Sequence, residues 1–330
     1  MQLILTKEKG YSAGHTNLTR SCGFGTLYFK ELADHFHSVR FKLLFALLVL
    51  SSLVALITAK NAASEAAASS EYRFLLLFTS AGSSLPSVAS LLAYLAPLAG
   101  LALGFDAINR ERNQGTLNHL VSQPIYRDAV INAKFLAGVT VIFIITAFLN
   151  TVILGIGLLT FGCFPATEEI LRVITYMLFT VVYTSLWLSI SQLFSTICKH
   201  AATSALIMIA IWIFLSLFYT MIVKMVSNAM YPLEGIEGYY NMYGNYSFQL
   251  HASRLSPYYL YCEAVTTLLN PNIRTIGITT QASYSGALVS YLSFDQSLLL
   301  ICPHLVSMLA SVMAAFTISY ISFMRSEIRA

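Results

Sequence analysis

The residues whose chemistry stands out occupy one stretch, Phe105 to Gly138, FDAINRERNQGTLNHLVSQPIYRDAVINAKFLAG. Four basic residues (Arg110, Arg112, Arg127, Lys134) and three acidic ones (Asp106, Glu111, Asp128) share it with two backbone breaks, Gly115 and Pro124. What these types can do at this spacing is pair charges and dock a partner. Asp106 and Arg110 stand four apart in the order that favours an ion pair along a helix, a contact worth little alone. Thr116 to Ser122 is long enough for two turns of helix, with Leu117, Leu120 and Val121 on one side and Asn118, His119 and Ser122 on the other. Pro124 ends it, and Tyr126 to Lys134 leads into the next helix. The spacing predicts a short helix lying across the end of a bundle on two helical stems, a projection able to transmit a push. The plainer reading is a solvated charged connection.

Other chemistries lack their residues. No G-x-x-x-x-G-K-[ST] phosphate loop occurs, so nucleotide energy has to come from another subunit, and neither HExxH nor GxSxG is present. The five cysteines (Cys22, Cys163, Cys198, Cys262, Cys302) form no CxxC pair and no Cys/His ligand spacing. They read as small apolar residues. His35 and His37 stand two apart and point in different directions on a helix, so solvated histidines are expected there rather than metal ligands.

The elements that must position the charged stretch are apolar. The chain has 330 residues, 57% hydrophobic and only 10% charged, against roughly a quarter charged in globular proteins. A helix crossing a bilayer needs about 20 apolar residues. Charge-free windows of that order lie at 43–59, 84–104, 135–160, 173–198, 200–223 and 296–324, giving six predicted transmembrane helices. None of these windows carries a carboxylate, which argues against an ion-coupled carrier or proton relay. The first apolar run begins only near Phe41, so it reads as an anchor rather than a cleaved signal. With both termini and 105–134 placed in the cytoplasm, 13 of the 19 Lys and Arg residues fall inside, as the positive-inside rule asks. The expected location is the inner (cytoplasmic) cell membrane, multi-pass.

The chain divides into four regions. Residues 1–40 are a lead ending in an amphipathic interfacial helix, in which Leu27, Phe29, Leu32, Phe36 and Val39 recur at helical spacing and Lys30 and Arg40 face lipid headgroups. Residues 41–225 hold helices 1–5 with the loop 105–134, and NAASEAAASSEYR (61–73) reads as an outer loop. Phe74 to Thr79 either lies along the outer surface or extends the second helix. Residues 226–295 form an extracytoplasmic subdomain holding ten of the 19 tyrosines, with turn-forming residues in GYYNMYGNYS. Inside it one helix is expected over Pro257 to Asn270, with Ser256 as N-cap and Asn270-Pro271 as the stop. Residues 296–330 are the sixth helix, kinked at Pro303, and a cytoplasmic tail. Asn150, Ser189, Ser191 and Gln192 are expected to bond between helices.

Asp106-x-x-x-x-Glu111-x-x-x-Gly115-Thr116-Leu117, then Leu120-x-Ser122-Gln123-Pro124-Ile125-x-Arg127, then Lys134, resembles the inner-loop signature of ABC-2 type transporter permeases. The nearest-looking branch contains the nitrous-oxide-reductase maturation permease. Lys30-Glu31-Leu32 before the first span, the six-span plan and the large outer segment are similar too, so the resemblance covers roughly 26–330. The departure is Arg112-Asn113, where that family often carries an acidic or small residue. The resemblance implies a permease that dimerises with a second copy of itself and binds two copies of an ABC ATPase, which holds the ATP and Mg. The chain itself is then no enzyme and binds no cofactor or metal. Carried over by position, the coupling residues are Asp106, Arg110, Glu111, Gly115, Thr116, Leu117, Leu120, Ser122, Pro124 and Arg127, with Glu111 against the ATPase and Gly115 to Ser122 as the coupling helix. The implied function is the permease subunit of an ABC exporter. The alternative is a membrane anchor or signal-transmitting scaffold without transport. Membrane lipid and an extracytoplasmic protein are further expected partners; nucleic acid is not.

Overall fold

The computed structural model of the chain describes residues 16–67, 72–81, 86–115, 126–271, 273–274, 288–289 and 292–325. Along the chain run α1 (Thr16–His37), α2 (Val39–Ala67), α3 (Arg73–Thr79), α4 (Val88–Gly104), α5 (Asn109–Asn113), α6 (Arg127–Phe161), α7 (Thr167–Ile197), α8 (Ala201–Met230), α9 (Glu237–Ser253), α10 (Pro257–Leu269) and α11 (Phe294–Arg325). The fold is all-helical but for a two-residue antiparallel pairing of Ile273–Arg274 with Leu288–Val289. Among the described residues six helices are long and apolar enough to cross a bilayer: α2, α4 with α5, α6, α7, α8 and α11. They fall on the six charge-free windows of the sequence, because at that length an apolar helix satisfies its own backbone and needs no polar face.

α7 is the centre of the bundle. In its most apolar window 67% of residues are buried, against 17% for α8, and it packs on α4, α6, α10 and α11. Contact with α4 is close because α4 presents glycines. A Cβ on Gly100 would stand 2.5 Å from the Thr184 carbonyl oxygen, and one on Gly104 2.8 Å from the Ser191 Cβ. Ser191 donates across this contact to the Leu101 carbonyl at 2.9 Å, and Gln192 donates to the Ile131 carbonyl at 3.3 Å. These two bond between helices as expected. Ser189 and Asn150 instead bond within their own helices, to Leu186 and Thr146.

Several sequence expectations need correction. α2 continues to Ala67 through residues read as an outer loop. α3 is a separate helix rather than an extension, and it is buried rather than spread on a surface, with Phe74, Leu75, Leu77 and Phe78 in the core. Glu169 at the start of α7 fixes it by accepting from the Phe74 amide at 2.7 Å. GYYNMYGNYS lies within helix α9, because its Asn245 is satisfied inside the packing: Nδ2 donates to Asn228 and to the Tyr231 carbonyl, and Oδ1 accepts from Gln249. α10 has the bounds expected from Pro257 and Asn270, yet its Tyr258, Tyr261, Ala264 and Leu268 belong to the same core as α4 and α7. Tyr261 stacks on Tyr183 with ring centroids 4.2 Å apart. The segment before α11 is therefore built into the bundle at α10 rather than standing apart from it.

Arg172 ties this region together. Fully buried, it donates to the carbonyls of Leu268 and Leu292, to Ser297 and to Glu168 at 2.7–3.1 Å. A guanidinium has five donors in a planar fork and needs such a complete set of acceptors when water is excluded.

Candidate functional site

The charged stretch begins where α4 ends. After Gly104 the second span runs on to Asn113, as expected, through a turn at 105–108 that separates α4 from α5. The amides opened by this turn are received by α7: Ile108 and Asn109 both donate to Ser195 Oγ, at 3.0 and 3.3 Å. Arg112 reaches the Thr196 carbonyl at 3.5 Å, placing a cation at the C-terminal end of α7, where the helix dipole favours one.

Across from α5, α6 carries Lys134 into the junction. Its ammonium lies 2.8 Å from Glu111 Oε1 and 2.8 Å from Glu31 Oε2 of α1, and all three side chains are buried. Two carboxylates and one ammonium leave one net negative charge. Breaking a buried pair by removing one partner typically costs about 3–5 kcal/mol, because the remaining charge is stranded. α1 turns into α2 at Ser38, whose hydroxyl donates to the His35 carbonyl at 2.9 Å and accepts from the Phe41 amide at 3.2 Å. Just past this elbow Arg40 pairs with Asp106 and lies over the Phe105 ring.

Of the residues singled out in the sequence, Asp106 thus faces Arg40 and not Arg110. Glu111 is buried and meets Lys134 of α6 at 2.8 Å, on a segment whose Ile108, Asn109 and Arg112 are held by α7. Arg110 is exposed and has no ion pair among the described residues. Gly115 is exposed with φ +69°, a left-handed conformation that favours glycine. Arg127 donates to the Phe323 carbonyl at 3.3 Å and sits over the Phe323 ring, fastening the start of α6 to the last turn of α11. Thr116, Leu117, Leu120, Ser122 and Pro124, with the expected coupling helix, lie outside the described residues.

Sequence reasoning missed Glu31, Arg40, Ser195 and Thr196 as parts of this junction. The signal for Glu31 was present: it comes four residues after Leu27, on the same side of α1, and is as buried as Leu27. Phe29 and Val39, assigned to the apolar face, are 68% and 69% exposed. The face of α1 that meets protein is therefore the Leu27–Glu31 side, and Phe29 is left to face outward. His35, one turn beyond Glu31, is held below the ordinary imidazole value by burial; Glu31 and Asp106 oppose that, and Lys134 and Arg110 reinforce it.

No catalytic arrangement is present at this junction among the described residues; what it can do is hold. Four elements, α1, α5, α6 and α7, are locked to one another within a few residues of the loop, and α11 is fastened to its returning stem. Among curated proteins none matches the chain. Residues 26–328 match the family model for ABC-2 family transporter protein, a stretch that runs from α1 to the tail behind α11 and takes in the six long apolar helices and the junction. The chain is accordingly a multi-pass membrane protein of the ABC-2 transporter family, and a permease-type subunit.

Proposed function

We propose that this chain is the membrane-spanning half of an ATP-driven exporter, acting with a second copy of itself and with two copies of a separate cytoplasmic ATPase that carries the ATP and Mg. In this reading both termini and the 105–134 loop lie in the cytoplasm, α1 rests at the inner membrane surface, and the loop is the part the ATPase pushes. The observation that carries it is the bracing of the loop stems. Ser195 holds the amides of Ile108 and Asn109, and Lys134 joins Glu111 to Glu31. A displacement of the loop is therefore delivered to the central helix and to α1 together rather than dissipated in a slack connection. The distribution of basic residues supports the same orientation.

Because Glu111 is spent inside the junction, the contact with the ATPase falls to the exposed end of α5 and to the residues after it: Asn113, Gln114, Gly115 and the helix expected over 116–122. The test is co-purification of the chain with an ABC ATPase encoded beside it. Leu117→Asp and Gln114→Glu should each lower the recovered ATPase, by about tenfold for a contact worth 1.4 kcal/mol, while the elution profile of the permease stays unchanged. Full recovery of the ATPase with both variants overturns the assignment. Reconstitution of the pair in vesicles, with ATP-dependent loss of cargo from the side bearing the loop, tests transport and its direction.

A further inference from the structure

Behind α1 the junction leaves a cavity of about 200 Å³, enclosed by α1, the start of α2, the end of α4, α6 and α7. Its deep residues are Glu31, Lys134 and Gln192, all buried; its rim carries Arg40 and Arg110, both exposed; Leu44 and Leu188 give it an apolar side. Two acceptors at depth lack hydrogen-bond donors. Gln192, 1% exposed, spends its amide nitrogen on the Ile131 carbonyl, and its Oε1 has no partner. Glu31 spends Oε2 on Lys134, and the nearest cation to its Oε1 is Lys30 at 3.9 Å. Buried acceptors in native proteins are nearly always satisfied, so each orphan here asks for a donor. A carboxylate oxygen and an amide oxygen without donors select a cation that donates hydrogen bonds. The rim carries charges of both signs: Asp34 stands 4.0 Å from Lys30 and Arg40 is paired with Asp106, which leaves Arg110 as a rim cation with no ion pair among the described residues.

We propose that this cavity is a binding site for a phosphoethanolamine group presented as a lipid headgroup, its primary ammonium reaching Glu31 and Gln192 and its phosphate lying at Arg110. The proposal rests on one element of the functional reading, that α1 lies at the membrane surface. There the exposed Phe29 and Val39 put the rim at headgroup depth and the Leu44 side toward the acyl chains. The site has room for a headgroup and not for a whole lipid, since a water in the liquid occupies about 30 Å³ and the cavity is several times that. An occupied site stabilises the docking of α1 on α6 and so favours the braced junction.

The experiment is thermal unfolding of the purified full chain in detergent, titrated with short-chain phosphatidylethanolamine, the matching phosphatidylcholine and phosphatidylglycerol, and soluble phosphoethanolamine. Phosphatidylethanolamine should raise Tm with at least about tenfold lower half-saturation than the other two lipids, the preference expected from a contact of 1.4 kcal/mol. Phosphatidylcholine has the charge without the N–H donors, and phosphatidylglycerol has the phosphate without the cation. Gln192→Met should erase the preference for phosphatidylethanolamine over phosphatidylcholine. Arg110→Gln, on the exposed surface and neutral for folding, should weaken all three lipids alike. Equal effects of phosphatidylethanolamine and phosphatidylcholine, or an unchanged preference in Gln192→Met with unchanged affinities in Arg110→Gln, overturn the site and leave a hydrated cavity. Competition by soluble phosphoethanolamine at the lipid's own concentration overturns the lipid as its source. The readout needs no ATPase, so it stands or falls separately from the coupling assignment.

Discussion

Lys134 shows at the scale of one residue how the junction is held. Its ammonium stands at the same 2.8 Å from a carboxylate oxygen of Glu111 and from one of Glu31, and so serves both. Lys134→Met should therefore destabilise the chain by about 3–5 kcal/mol, leaving two buried carboxylates to repel one another, whereas replacing Glu31, Glu111 and Lys134 together by apolar residues of similar volume should come out near neutral. Thermal unfolding of both variants decides it; equal losses in the two would mean that packing volume and not charge sets the cost. Titration separates two other residues. The His35 imidazole is held low by burial, so its folded value lies below the ordinary 6.5. Stability is then complete above pH 6.5 and falls as pH drops through the folded value, when a proton must be taken into a buried site beside Lys134 and Arg110, a cost that Glu31 and Asp106 only partly offset. His35→Gln should remove that acid limb from a plot of Tm against pH. Glu263 on α10 behaves otherwise. Burial raises its carboxyl, but His304 at 2.9 Å and Arg254 at 2.6 Å outweigh that and bring it down to about 2. Its stabilisation is present above about pH 4.5 and is lost only as pH falls through about 2, so it adds no slope at neutral pH. The charged residues of the site were legible in sequence as a cluster, yet their pairing was not. Asp106 finds Arg40 across 66 positions and Lys134 finds Glu31 across 103, and helical periodicity speaks only to neighbours three or four apart.

Among the elements, the contact of α4 with α7 has the least tolerance. Gly100→Ala would set a methyl 2.5 Å from the Thr184 carbonyl oxygen and 2.9 Å from the Leu188 nitrogen, both backbone atoms of the central helix. Rotamer changes cannot relieve such a clash, so a loss of about 3 kcal/mol is expected, the upper end of ordinary overpacking costs. Gly155→Ala, where a Cβ meets nothing within 4 Å, should be neutral or slightly stabilising. Comparable unfolding temperatures for the two variants would argue that α4 and α7 do not approach this closely. The existence of the spans could be read from charge-free windows because membrane insertion is decided by the same quantity, residue by residue. Their ends could not. α2 runs on to Ala67 because four of its last seven residues, NAASEAA, are alanine, the best helix former, while α9 accepts Asn241, Gly244 and Asn245 because packing repays poor formers. Gly244 is a case in point: a Cβ there would strike the Tyr231 ring at 2.9 Å.

For the whole molecule, the sequence conveyed six spans, and six helices long and apolar enough for them are found among the described residues, within the stretch that matches the family. It did not convey that α10 is part of the core. A helix with five apolar or aromatic residues in its first six, Pro257 to Cys262, satisfies an interfacial reading and a buried one equally. Only the surroundings decide, here the Thr180 hydroxyl 2.9 Å from the Tyr261 hydroxyl and the acceptors gathered on Arg172. The central helix is thus gripped at both extremities, by Glu169 and Arg172 near its start and by Ser195 and Thr196 near its end. Its 31 residues contain neither proline nor glycine, and at 1.5 Å per residue they make a rod about 45 Å long. Its neighbours are articulated: α4 contains Pro97, α11 contains Pro303, and α8 has a π-helical turn at Phe214–Phe218. Helices bend at such places. Mechanically the bundle is a stiff axle among jointed spokes: the central helix has no joint of its own, and bending is left to α4, α8 and α11.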